Sequence, residues 1–449
     1  IRSPLCLLFL VAAVVGNKNQ VGQLPVMGWS GYNAFMQSSG HCDHAGAGGY
    51  NETTFIETMD ALEHYGLSKL GYTYLNLDDC WIADNRTSDG KLAADPTRFP
   101  SGMAWLANQA HEKGFKLGLY AAASKETCRQ YPGSQGYEEV DAKTFAEWGA
   151  DFVKLDSCGG PLPNGTESWA HQYGRWSAAM NATGRQMVFS CSWAVYYDSC
   201  TYDLGKDHCG VVPFEHDYIA NICHMWRYGS DLFPVWSRNP TSKTGGGGIG
   251  DIIRYFESTW ANDYRVITER GAFNDPDFVV VGCPTDTACE PFSGGTTGLS
   301  NVEQRTQFSM WCVLAAPLIL GADIRNLTDY ALETLSNHEA IAINQDPLVL
   351  TPFNIKTDQP DTHIWARSVT PREKGGQSVA VGVAYLDGPA PTVGPFQLAL
   401  TDLGITTTQP CTVHDLWTGE SHNATAAIKI PELVSHGSTL LRVDCASSL

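Results

Sequence analysis

Positive charge is scarce in this chain. Over 449 residues, 29 Lys and Arg face 48 Asp and Glu, a formal net charge of −19. Nucleic acids and anionic bilayers reward basic patches, so this balance argues against both as partners. Long apolar runs are lacking as well. Leu5–Val15 spans eleven residues, too few to cross a bilayer, and no later stretch is long enough either, so no membrane insertion is expected. Thr244–Gly250 has the letters of a dinucleotide loop at Gly245, Gly247 and Gly250, but no strand precedes it and no acidic residue sits where ribose recognition needs one. It reads as a glycine-rich loop, and no cofactor is expected. His41-Cys42-Asp43-His44 is rich in ligand types without the spacing of a zinc site, so no metal is expected either. Charged residues make up only 17% against 43% hydrophobic, which excludes a disordered chain and supplies a sizeable core.

What is present points to an oxidising compartment. Arg2 followed by the apolar Leu5–Val15 and small residues reads as an export signal over residues 1–20. Fourteen cysteines follow the same logic: Cys6 falls in the signal, and the remaining thirteen cannot all pair. Cys312, inside the apolar run Met310–Leu320, is the expected buried thiol. Sequons at Asn51, Asn85, Asn164, Asn181, Asn326 and Asn423 fit glycosylation in that compartment. The expected location is secreted, or the lumen of a lysosome or vacuole.

Eight apolar runs alternate with amphipathic stretches. The runs are Val26–Tyr32, Tyr72–Asp78, Lys116–Ala122, Asp151–Leu155, Gln186–Ser190, His224–Tyr228, Asp277–Val281 and Ala316–Gly321. Helical patterns fall between and after them, the last at Tyr330–Ile343. This is the signature of an α/β chain folded as a (β/α)8 TIM barrel, expected over residues 21–348. Beyond Pro347 short alternating segments and turn residues predict an antiparallel β-sandwich over 349–449.

A TIM barrel places its active site at the C-terminal ends of its strands. Those ends are lopsidedly acidic: Asp78-Asp79, Asp156, Asp231 and Asn274-Asp275-Pro276-Asp277. With Lys154, Arg227, Trp29, Trp81, Trp193 and Tyr120 nearby, the mouth suits a neutral polyol. Two carboxylates flanking a glycosidic bond can hydrolyse it. Asp156 is the better nucleophile, because Lys154 lies two residues earlier on the same strand face and favours an ionised neighbour. Asp231 is then the acid/base, its carboxyl raised by neighbouring anions.

Six motifs occur in order: Met27-Gly28-Trp29, Leu77-Asp78-Asp79-Cys80-Trp81, Lys116-Leu117-Gly118-Leu119-Tyr120, Lys154-Leu155-Asp156-Ser157-Cys158, Trp226-Arg227 with Asp231, and Asn274-Asp275-Pro276-Asp277. Together they resemble glycoside hydrolase family 27, the α-galactosidases and α-N-acetylgalactosaminidases. The resemblance implies a retaining exo-hydrolase with Asp156 as nucleophile and Asp231 as acid/base. It implies that Asp78 and Asp79 hold the O4/O6 edge of the sugar, Lys154 its O3/O4 edge and Arg227 the region of O2, with Trp29, Tyr32, Tyr120 and Tyr196 lining the site. It also implies the pairs Cys42–Cys80, Cys128–Cys158 and Cys191–Cys223, while Cys200–Cys209, Cys283–Cys289 and Cys411–Cys445 follow by proximity and remainder. The expected partners are α-galactosides or glycans ending in α-GalNAc; a homodimer is allowed but not indicated.

Departures from the pattern limit the specificity. Ser192 stands where α-galactosidases typically carry Glu, and Val195 is intermediate between the bulky and small residues of the two activities. The resemblance therefore implies α-galactosidase-type activity with a pocket open to a 2-acetamido group, and leaves α-N-acetylgalactosaminidase as the alternative main activity. A catalytically silent galactose-binding lectin is the competing class. Tyr32 replaces the Trp that usually ends Gly-Trp-x-x-Trp, and Phe273 replaces another Trp and reads as packing.

Overall fold

A computed structural model of the protein describes residues 20–35, 50–157, 169–192, 216–229, 231–238, 247–260, 268–283, 298–406 and 409–446. Eight parallel strands form one sheet: β1 (Met27–Ser30), β2 (Tyr74–Leu77), β3 (Lys116–Ala122), β4 (Phe152–Asp156), β5 (Val188–Cys191), β6 (Met225–Arg227), β7 (Phe273–Asp275) and β8 (Leu318–Leu320). Their spatial order is β7-β6-β5-β4-β3-β2-β1-β8, and a parallel bridge from Val279 to Leu320 brings the two edges together. This is the expected α/β barrel. Alternation along each strand divides its side chains: Val153 and Leu155 of β4 join the layer under the helices, while Phe152 closes the barrel floor with Val26, Tyr74, Val188, Met225, Phe273 and Ile319. Phe273 is thus packing, in the position read for it. Gly118 is required, since any Cβ there would collide with the Asn76 side chain across the β2–β3 ladder.

Strand seven lies earlier than its apolar run. β7 is the short strand Phe273–Asp275, paired with β6 through Trp226↔Asn274 and Arg227↔Asp275, and the run Asp277–Val281 follows it. The reason is chemical: Asn274 and Asp275 are buried at the barrel mouth, so this strand carries polar side chains where a search for hydrophobicity finds none. The stretch Tyr330–Ile343 is likewise two helices, Asp329–Leu335 and His338–Asn344. Asn337 caps the second by accepting from the Glu339 and Ala340 N–H groups.

The C-terminal part is an antiparallel six-stranded sheet in the spatial order Ser421–Ala424, Cys411–Asp415, Ser438–Cys445, Gln377–Tyr385, Thr362–Ser368 and Phe353–Ile355. Two small ribbons, Thr392–Val393 with Leu433–Val434 and Phe396–Ala399 with Ala427–Ile430, pack over it. Between this sheet and the barrel runs the helix Asn301–Val313, buried from Glu303 onwards save Arg305 despite its polar composition. Gln307 accepts from the Val280 N–H and donates to the Phe278 carbonyl, and Gln304 accepts from the Gly282 N–H. Polar residues inside this helix thereby satisfy the irregular backbone that follows β7. Cys312 is a buried free thiol on the same helix, as expected. Among the described residues no helix is long and apolar enough to cross a membrane.

Candidate active site

The strand ends converge on one ammonium. Lys154 points inward from β4 and donates to Asp78 Oδ2, at the end of β2, over 2.6 Å. Burial opposes its charge, but the carboxylates of Asp78, Asp156 and Asp277 outweigh that and hold the ammonium above its ordinary range. Three rings surround it: Phe278 at 5.1 Å, Tyr32 at 5.4 Å and Tyr120 at 5.6 Å from Nζ to the centroid. The sequence pairs Lys154 with Asp156 by strand face; the hydrogen bond goes instead across the barrel to Asp78.

The two tyrosines extend to the two candidate catalytic carboxylates. Tyr120 donates to Asp156 Oδ2 at 3.2 Å, and the Ser157 N–H fixes Oδ1 at 2.8 Å. Tyr32 donates to Asp231 Oδ2 at 3.1 Å, while Arg227 approaches Oδ1 at 3.4 Å. Asp156 is half-buried; the Asp231 side chain is 53% exposed. The groups touching Asp231 are thus a cation and a phenol rather than anions.

Asp79 lies deeper. Its oxygens accept from the Cys80 and Arg129 N–H groups, and burial, the largest influence, pushes its carboxyl up to about 7 against those bonds and one from Thr127. Asp78 Oδ1 accepts from the Asp79 N–H, and the Tyr50 hydroxyl bonds the Asp78 backbone N–H. Ser192 is buried at the end of β5, its N–H on the Leu155 carbonyl. Trp29 and Trp81 are wall residues here, with indole N–H groups bonded to the Ala322 and Tyr120 carbonyls. Trp193, Val195 and Tyr196 lie outside the described residues.

Sequence reasoning leaves Asp277 without a role. Its carboxylate pairs with Arg227 at 3.0 Å and accepts from the Leu232 N–H at 2.8 Å, so it clamps both the cation and the loop carrying Asp231. Burial raises its carboxyl to about 6; Arg227 works the other way. The visible signal is the cluster Asn274–Asp277, but the clamp depends on a left-handed backbone at Asp277, φ 83°, which composition does not announce.

Cys191–Cys223 ties the end of β5 to the start of β6, and Cys411–Cys445 joins two sandwich strands, both as expected. Cys80 and Cys128 are disulfide-bonded; Cys42 and Cys158, their expected partners, lie outside the described residues, as do Cys200, Cys209 and Cys289.

Residues 24–346 match the family described as alpha galactosidase A, and residues 359–443 match the alpha galactosidase C-terminal beta sandwich domain. The chain belongs to glycoside hydrolase family 27. Human alpha-galactosidase A is 33% identical over 357 residues, which is 78% of this chain and 73% of that relative. The alpha-N-acetylgalactosaminidase of Rattus norvegicus is 35% identical over 351 residues, 78% and 74% of the two chains. The crystal structure of alpha-galactosidase I from Mortierella vinacea superposes with a TM-score of 0.76 at 26% identity, covering 96% of this chain and 100% of that one. Membership of family 27 makes the chain a glycoside hydrolase, and the two curated relatives named above carry two different activities.

Proposed function

We propose that the chain is a retaining exo-glycosidase that removes terminal α-galactosyl residues and also admits α-N-acetylgalactosamine. One observation carries this reading: Lys154 stands between two phenols, one bonded to Asp156 and the other to Asp231, so two carboxylates are gathered around one ammonium at the barrel mouth. Asp156 attacks C1 as Asp231 protonates the departing oxygen, the glycosidic bond breaks, and a glycosyl ester on Asp156 forms. Asp231, now a carboxylate, takes a proton from water, which attacks C1 and releases Asp156, so two inversions return the α anomer. Lys154, Asp78 and Asp79 would bind the O3, O4 and O6 edge, and Arg227 the region near O2. NMR of the first product anomer tests retention: an initial β-sugar would overturn it.

The second reading, α-N-acetylgalactosaminidase as the main activity, is favoured by Ser192 alone. Its short side chain replaces a carboxylate that would accept from a 2-hydroxyl, and leaves room for an acetamido group. The deciding measurement is kcat/KM on 4-nitrophenyl α-galactoside and 4-nitrophenyl α-N-acetylgalactosaminide. Ser192→Glu should lower kcat/KM for the GalNAc substrate about 100-fold while sparing or raising that for galactose, a discrimination of the size a lost or clashing contact produces. An unchanged ratio would remove Ser192 from the O2 pocket. Activity on neither substrate would favour the lectin reading. The disulfides support an oxidising compartment, and exposed sequon residues Asn85, Asn181, Asn326 and Asn423 support N-glycosylation there.

A further inference from the structure

Tyr32 stands where the family pattern usually has Trp, and its hydroxyl does something an indole in that place would not do in the same way. The residue follows β1, and Asp231, 199 positions away in sequence, lies on the loop that packs beside it, where Asn33 donates to the Leu232 carbonyl. Its ring is held by Phe278, 6.0 Å between centroids, and by the Lys154 ammonium. The hydroxyl therefore has a fixed origin when it reaches Asp231 Oδ2 at 3.1 Å.

We infer that Tyr32 is a positioning residue for the acid/base: its phenol orients the Asp231 carboxyl and favours the ionised form over the protonated one. The inference rests on the reading of Asp231 as acid/base. An O–H donor gains more from a carboxylate than from a neutral carboxyl, so the bond stabilises the base that completes the second half of the reaction and weakens the acid needed in the first. The other charged groups facing Asp231 are Arg227 on Oδ1 and Asp277 behind it; those facing Tyr32 are Asp231, Lys154, Asp78 and Asp277. The field of Asp231, then burial, then Asp78 and Asp277 hold the phenol well above its ordinary range, so it remains a donor throughout the working pH.

The test is Tyr32→Phe in the full chain, which keeps the ring and removes only the hydroxyl. The pH profile of kcat/KM is measured on methyl α-galactoside, whose poor leaving group demands the acid, and on 4-nitrophenyl α-galactoside, whose departure demands it less. The expected result is an alkaline limb moved up by about one pH unit on the methyl glycoside, the size of one hydrogen bond to a charged group. A limb that stays in place overturns the inference. A raised KM with the limb unmoved also overturns it, because that is the signature of a wall for the sugar only. Asp231→Ala is measured alongside. If that variant hydrolyses the methyl glycoside normally, the acid/base assignment itself is wrong. If it loses the methyl glycoside but keeps the nitrophenyl one, the assignment stands and the Tyr32→Phe limb alone decides.

Discussion

Asp156→Ala is expected to lose about 10⁴-fold or more in kcat on both nitrophenyl substrates while remaining folded, because no other carboxylate occupies its place as nucleophile. The folded state should persist because Asp156 is an acceptor at the mouth, not a core residue: removing it releases the Tyr120 hydroxyl and the Ser157 N–H toward a half-open site. Azide separates the two carboxylates by stereochemistry. In the Asp156 variant azide takes the place of the missing nucleophile and attacks from the β face, giving a β-glycosyl azide in a single inversion. In Asp231→Ala the glycosyl ester still forms with a good leaving group, and azide then displaces Asp156 to give the α-glycosyl azide. An α-azide from the Asp156 variant, or a rate within tenfold of the parent, would sink the assignment. The exchange of products between the two variants would mean that their roles are reversed.

Much of this site is legible in sequence because strand ends in a barrel are a fixed address. Asp78, Asp79, Lys154, Asp156 and Arg227 all lie within a residue of the ends of short apolar runs, and β2, β4 and β6 bring them to one mouth. What sequence hides is pairing across the barrel. Same-face logic on β4 gives Lys154 and Asp156 a common direction, but only the curvature of β2 against β4 reveals that Asp78 is the closer partner of the ammonium. The same holds for Tyr32 and Asp231, and for Asp277 with Arg227. The indoles of Trp29 and Trp81 illustrate the converse: a tryptophan at a strand end has the composition of a sugar platform, yet here each donates its N–H to a wall carbonyl and is buried. Polarity misleads in β7, where Asn274 and Asp275 are buried, and in the helix Asn301–Val313, where buried Gln304 and Gln307 serve backbone groups that no hydrophobic pattern encodes.

Stability should peak in mildly acidic solution, because the seam between barrel and sandwich is built from histidines, an arginine and carboxylates. Arg254 donates to Asp361 and Asp387, each at 2.7 Å, and one turn later Glu257 bonds His363 and, at 2.6 Å, Lys356. His436 lies between Glu303 at 2.6 Å and Asp387 at 2.8 Å, its ring stacked 4.2 Å from Trp236. Trp236 is in the loop that begins at Asp231 and donates to Asp387, so the sandwich braces the segment bearing the proposed acid/base. Burial opposes the His363 charge, but Asp361 and Glu257 outweigh it and raise its pKa, so its contribution is full below about 6.5 and is lost as pH rises through the folded value. Burial likewise opposes the Glu257 charge, yet His363 and Lys356 lower its carboxyl to about 2; Asp361 is lowered by His363 first and then Arg254. Those contributions are full above about 4.5 and fade only as pH falls toward the lowered values. The two limits leave a window between about pH 4.5 and 6.5 in which the seam holds best. His363→Gln should lower Tm by about 3 °C inside that window and flatten the decline from pH 6 to 8, whereas Arg254→Met should lower it by about 5 °C across the whole range by leaving Asp361 and Asp387 without their shared cation. Differential scanning fluorimetry from pH 4 to 8 reads both effects. A Tm that climbs steadily from pH 5 to 8, or a His363 variant that keeps the parent profile, would remove the seam as the origin of the pH dependence.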